Sequence, residues 1–572
     1  MPRLVWLLLA GLVVVLAIGA TVLLWPRDNT EIAGRFVPEE TLALVQLVHL
    51  NDLTDHFAES ALGRLLAAET VREVVRELNA DPALAAEYER TAATMAEVAR
   101  NPVFRAVFGG NAVLALLPVD AEAFARQPAH ALRDSLVVLG RSPGAGAADL
   151  FARLAAGREV GREAFNGLDL LRLPLDPVTT LYALSEDDTL LLGLSPQAIF
   201  VCVETARSGK PSLVQGPGFA GAQRFWTPVS GKRFQARNYV DIRRMAALLA
   251  ASPEREWREV ALLLSDMAAS YGQLRRTRQG LEGISRTNLG PGPFQPPLQA
   301  MIEASATAKN RSLHLLQQES LIYLWSATCL PEILVQNLFA DAAVRTEVET
   351  WVKKTLGSSP AEAGQALGPG WGLVLEDLVN TGLFPAPRMT LFVDVRDKTM
   401  AGAFSDRLRS AMAATGSAVI EQEEVGGRTI TTWPLLPHEL AQPSLLFTEQ
   451  LASLSTSRQA ARALARSAGD DQARPAGAVS DAVQSGIAEA IREANANVLV
   501  LHPQRMADRA GMMANWLGSL LVQTKGISLA RFNQELVRFL QSFELVVLVQ
   551  DLERDHTRSR LWIETASDLQ SK

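Results

Sequence analysis

The sequence predicts an α+β protein with an N-terminal transmembrane helix followed by two tandem duplicated units, each a largely antiparallel sheet packed with helices. Three observations lead to this prediction. The chain opens with a long uncharged segment, its sequence repeats at an offset of about 260 residues, and helix-like segments are interspersed with closely spaced hairpin signals. The length of 572 residues also exceeds what one core supports, since single cores stop growing at roughly 250–300 residues.

The first element is an apolar segment from Leu4 to Trp25 that carries no charged residue. As a helix it would be about 33 Å long, enough to cross a hydrocarbon core of roughly 30 Å. Residues 1–3 would then be a cytoplasmic stub, and Arg27 follows the segment on the outer side. A cleaved signal peptide is the alternative, with a small-residue site near 17–20. Because the apolar run continues to Trp25, residues 4–25 are predicted to form an uncleaved membrane anchor.

The composition is that of an ordinary globular protein. Hydrophobic residues make up 48% of the chain and charged residues 20%, and the net charge is −7. This mild charge gives no electrostatic footprint for nucleic acid. A nucleic-acid partner is therefore not expected.

The body of the chain contains an internal repeat. Residues 161–209 resemble residues 421–469, with Gly167 opposite Gly427 and Pro174 opposite Pro434. Further matches follow in the same order: 41–66 with 320–344, 108–118 with 367–378, 135–157 with 390–412, 238–250 with 497–511, and 274–289 with 548–565. Because these matches share one order and nearly one offset, the sequence predicts a first unit at 36–290, a linker at 291–318, a second unit at 319–566 and a tail at 567–572.

Hairpins dominate the predicted strand connections. Gly426 with Gly427, and Asp187 with Asp188, are typical turn residues before or between strands. In residues 428–435 the side chains alternate in the manner of a half-buried strand. Sequential hairpins imply an antiparallel sheet, which favours α+β over a doubly wound fold.

One glycine-rich stretch has the formal pattern of a dinucleotide-binding loop. Gly216, Gly218 and Gly221 are spaced as GxGxxG, and Asp241 lies 20 residues further on. Such a site needs a strand before the glycines and a helix that starts among them. Because Pro217 interrupts the stretch, we interpret it as a loop and predict no cofactor.

Candidate metal and catalytic residues do not form a recognisable motif. His49 and His56 flank Asp52 and Asp55, which makes a metal cluster conceivable, but the second unit has no histidine at either place. Metal ligation needs three or four converging groups, so we interpret these histidines as solvated. The chain also lacks a GxSxG elbow, a P-loop and a kinase signature. No catalytic residue and no metal ligand are predicted.

The two cysteines leave two alternatives open. Cys202 and Cys329 could form a disulfide in an oxidising compartment. Both lie in apolar surroundings, so two buried free thiols are an equally good interpretation.

The stretch at 451–469 combines serines with three arginines before and within a predicted helix. Ser457 falls opposite Ser195 of the first unit, and both are predicted helix N-caps, where a hydroxyl accepts a backbone N–H. Arg458, Arg462 and Arg466 recur every four residues and form a possible basic binding face. The first unit has no such stripe.

Two apolar helical stretches, 253–271 and 512–522, could line a cavity for a lipid or another apolar ligand. The simpler interpretation is that they face the cores of their units, since any packed helix needs an apolar stripe.

The openings at 36–47 and 319–329, the segment FGGNAVLALLP, and the hairpins ending in SPQAIF and TSRQAARAL resemble an uncharacterised family of bacterial envelope proteins. That resemblance implies a domain of unknown function with an N-terminal anchor in the bacterial inner membrane, repeated α+β units in the periplasm and no assigned reaction.

The expected function is therefore that of a non-enzymatic, single-pass envelope protein whose body acts as a binding or scaffold module. Its partners would be the membrane, through Leu4 to Trp25, and an envelope protein or apolar ligand. A periplasmic carrier of lipid and an unrecognised hydrolase are the two alternatives.

Overall fold

The computed structural model describes residues 30–48, 51, 55, 57–78, 80–100, 105, 107–141, 160–175, 179–226, 234–277, 280–317, 320–328, 346–347, 349–350, 353–354, 357, 367–380, 385–414, 420–434, 442–467, 485–509 and 530–566. The chain divides into two compact units, Met1–Gly292 (unit 1) and Pro293–Lys572 (unit 2).

The strands of unit 1 are β1 Ala43–Val48, β2 Asn111–Leu116, β3 Leu136–Arg141, β4 Gly161–Phe165, β5 Leu168–Pro174, β6 Thr180–Glu186, β7 Thr189–Gly193, β8 Phe234–Val240, β9 Met267–Arg276 and β10 Gly280–Leu289. Those of unit 2 are β11 Ile322–Ser326, β12 Leu367–Asn380, β13 Pro385–Val395, β14 Glu421–Val425, β15 Arg428–Thr432, β16 Ser444–Phe447, β17 Leu451–Ser455, β18 Asn497–Leu501, β19 Phe543–Leu552 and β20 His556–Thr565.

The helices of unit 1 are α1 Thr30–Phe36, α2 Ala61–Leu65, α3 Ala68–Glu77, α4 Pro82–Arg100, α5 Ala121–Arg126, α6 Pro128–Asp134, α7 Pro196–Ser208, α8 Pro217–Phe225, α9 Ile242–Ala250 and α10 Arg255–Leu264. Those of unit 2 are α11 Pro296–Thr307, α12 Lys398–Ala414, α13 Arg458–Ser467, α14 Ser485–Glu493 and α15 Ala530–Gln541. Short 3₁₀ helices lie at Leu213–Gln215 and Leu313–Leu315.

Both units have the same strand order. In unit 1 the pairings run β10–β9–β8–β1–β2–β3–β7–β6–β5–β4, and every pairing is antiparallel. In unit 2 they run β20–β19–β18–β11–β12–β13–β17–β16–β15–β14, again all antiparallel. The repeat seen in the sequence is therefore also a repeat of strand topology.

The strand registers define equivalent positions in the two units. Asp241 donates its backbone N–H to the carbonyl of Leu42 at 2.8 Å, and His502 donates to Leu321 at 3.0 Å in the same manner. Counting from these bonds, Gln46 in β1 is equivalent to Trp325 in β11. These equivalent positions allow the residues of unit 1 and unit 2 to be compared one by one.

A tight turn of the same kind closes the β4–β5 and β14–β15 hairpins. Asn166 and Gly167 have φ of +48° and +80°, and Gly426 and Gly427 have +57° and +73°. Two-residue hairpin turns of this type need positive φ at both positions, which asparagine and glycine tolerate best. The predicted turn at Asp187 lies between β6 and β7, where Asp187 has a φ of +51°.

Each unit has its own hydrophobic core on one face of its strands. In unit 1, Leu44, Val113 and Leu139 pack with Ile199 of α7 and Phe219 of α8. In unit 2, a corresponding cluster packs strand residues against α13 and α14 (Tyr323, Val374, Phe392, Leu464, Ile491). Alternate burial along β1 and β18 fits a sheet with one buried face.

The predicted fold class is wrong. All 20 described strands are assigned to a single antiparallel sheet with 15 described helices, whereas the sequence predicts a separate sheet for each unit after a transmembrane helix. The hydrophobic pattern of a sequence indicates where strands lie. It does not indicate which strands pair, because strands pair through backbone N–H and C=O groups that nearly every residue type offers in the same way.

Within the described part of the chain, no helix is long and apolar enough to cross a membrane. The longest described helix is α4 with 19 residues, and it carries five charged residues. The predicted anchor from Leu4 to Trp25 lies outside the described residues. The predicted placement as a single-pass inner-membrane protein with a periplasmic body is corrected accordingly, because no described element supports it.

The segment 291–318, predicted as a linker, contains helix α11 and the second 3₁₀ helix. The buried hydroxyl of Ser305 in α11 lies 3.1 Å from the carbonyl oxygen of Leu552 at the end of β19. This part of the chain is thus packed against strands of unit 2.

Candidate functional site

The two predicted N-caps differ in what their side chains do. The hydroxyl of Ser457, fully buried before α13, accepts the backbone N–H of Gln459 at 3.2 Å and of Ala460 at 3.4 Å. Ser195 occupies the N-cap position of α7, and Pro196 takes the first helical position, but the Ser195 side chain makes no capping bond. The equivalent serines therefore share a position, and Ser457 alone makes the bond.

The predicted arginine face is largely neutralised by strand β14. Arg458 forms an ion pair with Glu421, and Arg462 makes two hydrogen bonds to Glu423, at 2.8 and 2.6 Å. The hydrogen bond from Arg462 lowers the pKa of the Glu423 carboxyl. Arg466 lies exposed in the last turn of α13. The stripe therefore consists mainly of an ion-pair network that fastens α13 to the β14–β15 hairpin.

The equivalent place in unit 1 is a shallow cleft of about 280 Å³. Its lining includes Leu168, Phe200 and Val203, with Glu204 and Arg207 at the rim. The strand registers and the aligned helices α7 and α13 place Arg428 and Arg462 of unit 2 where unit 1 has Leu168 and Phe200. The cleft is thus a feature of unit 1 that unit 2 replaces with charged side chains.

The possible disulfide between Cys202 and Cys329 has only one of its two cysteines in the described residues. Cys202 is a fully buried free thiol in α7, and burial raises its pKa to about 12. Cys329 lies outside the described residues. A buried, protonated thiol is a poor nucleophile, so Cys202 acts as a packing residue of the unit 1 core.

The GxGxxG stretch is helical, and its interpretation as a loop is wrong. Helix α8 begins at Pro217, because proline is well tolerated at the first helical position. A methyl group on Gly218 would lie 2.7 Å from the hydroxyl of Tyr239, and one on Gly221 would lie 3.3 Å from that of Tyr271. These glycines allow α8 to lie against β8 and β9. A 3₁₀ turn, not a strand, precedes them, so the motif lacks the context of a dinucleotide site.

The conceivable metal cluster at His49 and His56, for which the sequence favours solvated histidines instead, lies mostly outside the described residues. His49, Asp52 and His56 lie outside them, and Asp55 accepts a hydrogen bond from Arg105 at 2.6 Å. A different trio, Glu553, Asp555 and His556, brings its potential ligand atoms within 4.8 Å of one another. That trio sits at the β19–β20 turn, with Glu553 and Asp555 exposed, as acidic turn residues commonly are.

The most distinctive described surface lies on α10. Ala261 is buried and Leu264 partly buried against a small core with residues of α9 and α5, such as Leu248 and Phe124. Around the rest of the helix, four large apolar side chains remain exposed: Trp257 by 40%, Val260 by 38%, Leu262 by 58% and Leu263 by 71%. We call these four residues the α10 apolar surface.

The α10 apolar surface modifies the sequence-based interpretation that 253–271 is simply a core-facing helix. Trp257, Val260 and Leu263 recur every three residues and form a stripe beside the buried edge of α10. The ion pair between Arg255 and Glu259 lies in the same helix. The signal that could have indicated this surface is excess apolar content: more of α10 is apolar than one buried face requires.

A buried polar cluster is the other unusual feature, in unit 2. Asp394 near the end of β13 is 6% exposed, and Trp325 of β11 is fully buried. Asp394 accepts a backbone hydrogen bond from Gly370, while its Oδ1 and the Nε1 of Trp325 have no hydrogen-bond partner among the described residues. Burial raises the pKa of the Asp394 carboxyl to about 7, although Arg311, the Gly370 bond and Arg396 all lower it.

The described residues thus include two unusual features: an exposed apolar surface on α10 and a buried carboxyl group at Asp394. No enzyme family is identified for the chain. Neither the protein-family models, nor the curated proteins, nor the solved structures contain a match to it.

Proposed function

We propose that the protein is a non-enzymatic binding module that contacts a protein partner through the α10 apolar surface. The observation that supports this proposal is the exposure of Trp257, Val260, Leu262 and Leu263 on one ten-residue helix. Single exposed apolar residues are ordinary on protein surfaces, whereas grouped ones mark interaction sites.

The energy available at this surface is sufficient for a specific contact. Complete burial of a leucine side chain is worth roughly 1.5–3 kcal/mol, and Leu262 and Leu263 retain more than half of their exposure. Each would therefore contribute on the order of 1–2 kcal/mol when covered. Trp257 adds the kind of large, rigid side chain that dominates interface energies.

The position of the surface also supports a docking role. α10 is held by α9 through Ala261 and Leu264, so its outer stripe is presented on a fixed support. A preformed surface loses little conformational entropy on binding.

The proposal can be tested by site-specific photo-crosslinking with the full chain in its native host. A photoreactive phenylalanine derivative is placed at Leu263 and, in a matched control, at Leu78, an exposed leucine after α3. We expect discrete protein adducts from position 263 that are absent from position 78 and weakened by Leu262→Glu. Identical adduct patterns at both positions, or none at 263, would refute the role of α10.

A second candidate, binding of a small apolar ligand, is favoured by the cleft in unit 1. Its volume of about 280 Å³ lies near the lower end of ligand pockets, and its rim combines Glu204 with Arg207. Native mass spectrometry of the purified full chain with added fatty acid tests this candidate. A fatty-acid adduct that disappears in Phe200→Arg, which copies the arginine of unit 2, would support it, and an adduct that survives the change would exclude the cleft.

A further inference from the structure

The carboxyl group of Asp394 lies in a place that suits an uncharged acid better than an anion. Alternate residues Thr390 and Phe392 of the same strand are buried on the same face. The residue opposite Asp394 in β17 is Leu451, which is buried and apolar. An unpaired anion in such surroundings costs several kcal/mol, so a buried carboxyl either protonates or finds a countercharge.

Gly370 fixes how the carboxyl sits. Residues 368–370 lie at a register shift in the β12–β13 pairing, and the backbone N–H of Gly370 donates to Asp394. A methyl group on Gly370 would overlap Oδ2 of Asp394 and would lie 3.0 Å from Nε1 of Trp325. The carboxyl and the indole N–H are therefore neighbours around one glycine. Within the part of the chain that the structure describes, Oδ1 and the indole N–H lack hydrogen-bond partners.

Every element around the carboxyl contributes an identifiable group. β11 supplies Tyr323 and Trp325, and the phenol of Tyr323 is bonded to Asn310 at 3.0 Å. Two exposed arginines lower the pKa of Asp394: Arg311, which precedes the 3₁₀ helix, and Arg396, which follows β13. The countercharges thus lie on the solvent side of the buried position.

We propose that Asp394 is a proton-operated switch in unit 2: the neutral acid occupies the buried position beside Trp325 and Gly370, and the ionised carboxylate leaves it toward the guanidinium groups of Arg311 and Arg396. The switch takes one proton and needs no other ligand. The raised pKa of Asp394 places the movement of its carboxyl group near neutral pH. The neighbouring indole of Trp325 changes its surroundings when the carboxyl group moves.

The device belongs to unit 2 alone. Strand pairing places Arg141 at the position in β3 that Asp394 has in β13. Arg141 is half exposed, near Asp188. The switch is independent of the α10 apolar surface, so failure of one proposal leaves the other standing.

The test uses the full chain and two readouts between pH 5 and 9. Infrared difference spectroscopy follows protonated carboxyl groups, and tryptophan emission, compared between wild type and Trp325→Phe, isolates the signal of Trp325. We expect both readouts to change together near pH 7 in the wild type and in Glu564→Gln. That control removes the other buried carboxyl whose pKa burial raises to about 7. Both changes should vanish when Asp394→Asn is combined with Glu564→Gln, because no carboxyl with a pKa near 7 then remains among these two.

Two outcomes overturn the switch. A carboxyl signal that titrates without any change in Trp325 emission means that Asp394 ionises in place. A transition that persists in the Asp394→Asn, Glu564→Gln double variant belongs to another group and refutes the switch. If Asp394→Asn does not fold, Arg311→Gln provides the test. Removal of this exposed positive charge must shift the pH midpoint of the transition upward. An unchanged pH midpoint refutes the proposed countercharge.

Discussion

Gly372 of β12 offers the most direct test of the packing in unit 2. It lies opposite Trp325 in β11 and Phe392 in β13. A methyl carbon added to Gly372 would lie 2.9 Å from Cε2 of Phe392, and it would overlap Cζ of that ring and the carbonyl oxygen of Leu324. The ring can turn, but the carbonyl belongs to a central strand and cannot move without disturbing its hydrogen bonds.

Gly372→Ala should therefore be strongly destabilising. Overpacking a core typically costs about 1–3 kcal/mol, and a backbone obstacle places this change near 3 kcal/mol. Since 1 kcal/mol lowers Tm by roughly 2–4 °C in a domain of this size, we expect a fall of roughly 6–12 °C, measured by differential scanning calorimetry. In unit 1 the equivalent position is Val113, opposite Leu139, so a side chain fits where the facing residue is smaller.

The matched control is Gly402→Ala in α12. Nothing lies within 4 Å of a methyl group added there, and alanine is preferred to glycine inside a helix by roughly 0.5–1 kcal/mol. Gly402→Ala should thus raise Tm slightly. If Gly372→Ala melts within about 2 °C of the wild type while the control behaves as expected, the described packing of Phe392 over Gly372 is incorrect.

Three further outcomes are expected in urea denaturation. Ser457→Ala should lower the free energy of unfolding by about 1 kcal/mol through loss of its capping bonds, whereas Ser195→Ala should change it little. Equal losses in the two variants would contradict the finding that only Ser457 caps its helix. Because the bond to Arg462 lowers the pKa of Glu423, the wild type should exceed Glu423→Gln in stability at pH 7 by less than about 1 kcal/mol. This advantage should be lost as the pH falls below about 4, and a pH-independent difference would rule out the ion pair as its source. Burial raises the pKa of Asp394 to about 7 in the folded protein. The contribution of Asp394 to the free energy of unfolding is therefore full at a pH below its pKa in the unfolded chain, and it declines as the pH rises toward 7. The stability of the wild type relative to Asp394→Asn should then fall by up to about 4 kcal/mol between pH 4 and 7, and parallel curves would show that Asp394 ionises normally.

Features with a local cause could be predicted from the sequence. The hairpin turns at Gly167 and Gly427 need positive φ, and few residue types supply it. The cap at Ser457 needs only a hydroxyl before a helix. Such signals recur in both copies, which is why the internal repeat could be recognised before the strand order was known.

Features that depend on distant segments could not be predicted. The arginine stripe of α13 looks basic in the sequence, because its neutralising residues Glu421 and Glu423 come from a strand more than thirty positions earlier. Asp394 and Trp325 come from different strands and meet only through the β12–β13 register. Pro217 alone does not indicate whether a helix ends or begins there, because proline both breaks helices and begins them.

The shared strand order has a consequence for how the chain is made. β1 pairs on one side with β2 and on the other with β8, which begins only at Phe234. At a synthesis rate of roughly 5–20 residues per second, one edge of β1 waits on the order of ten seconds or more for its partner. When unit 2 emerges, β18 presents an antiparallel strand suited to the equivalent edge of β11. The duplication therefore offers a nascent chain two acceptors of similar shape. They differ in the side chains that come to lie opposite each other: Gln46 faces Arg237 in β8, whereas Trp325 faces Val498 in β18.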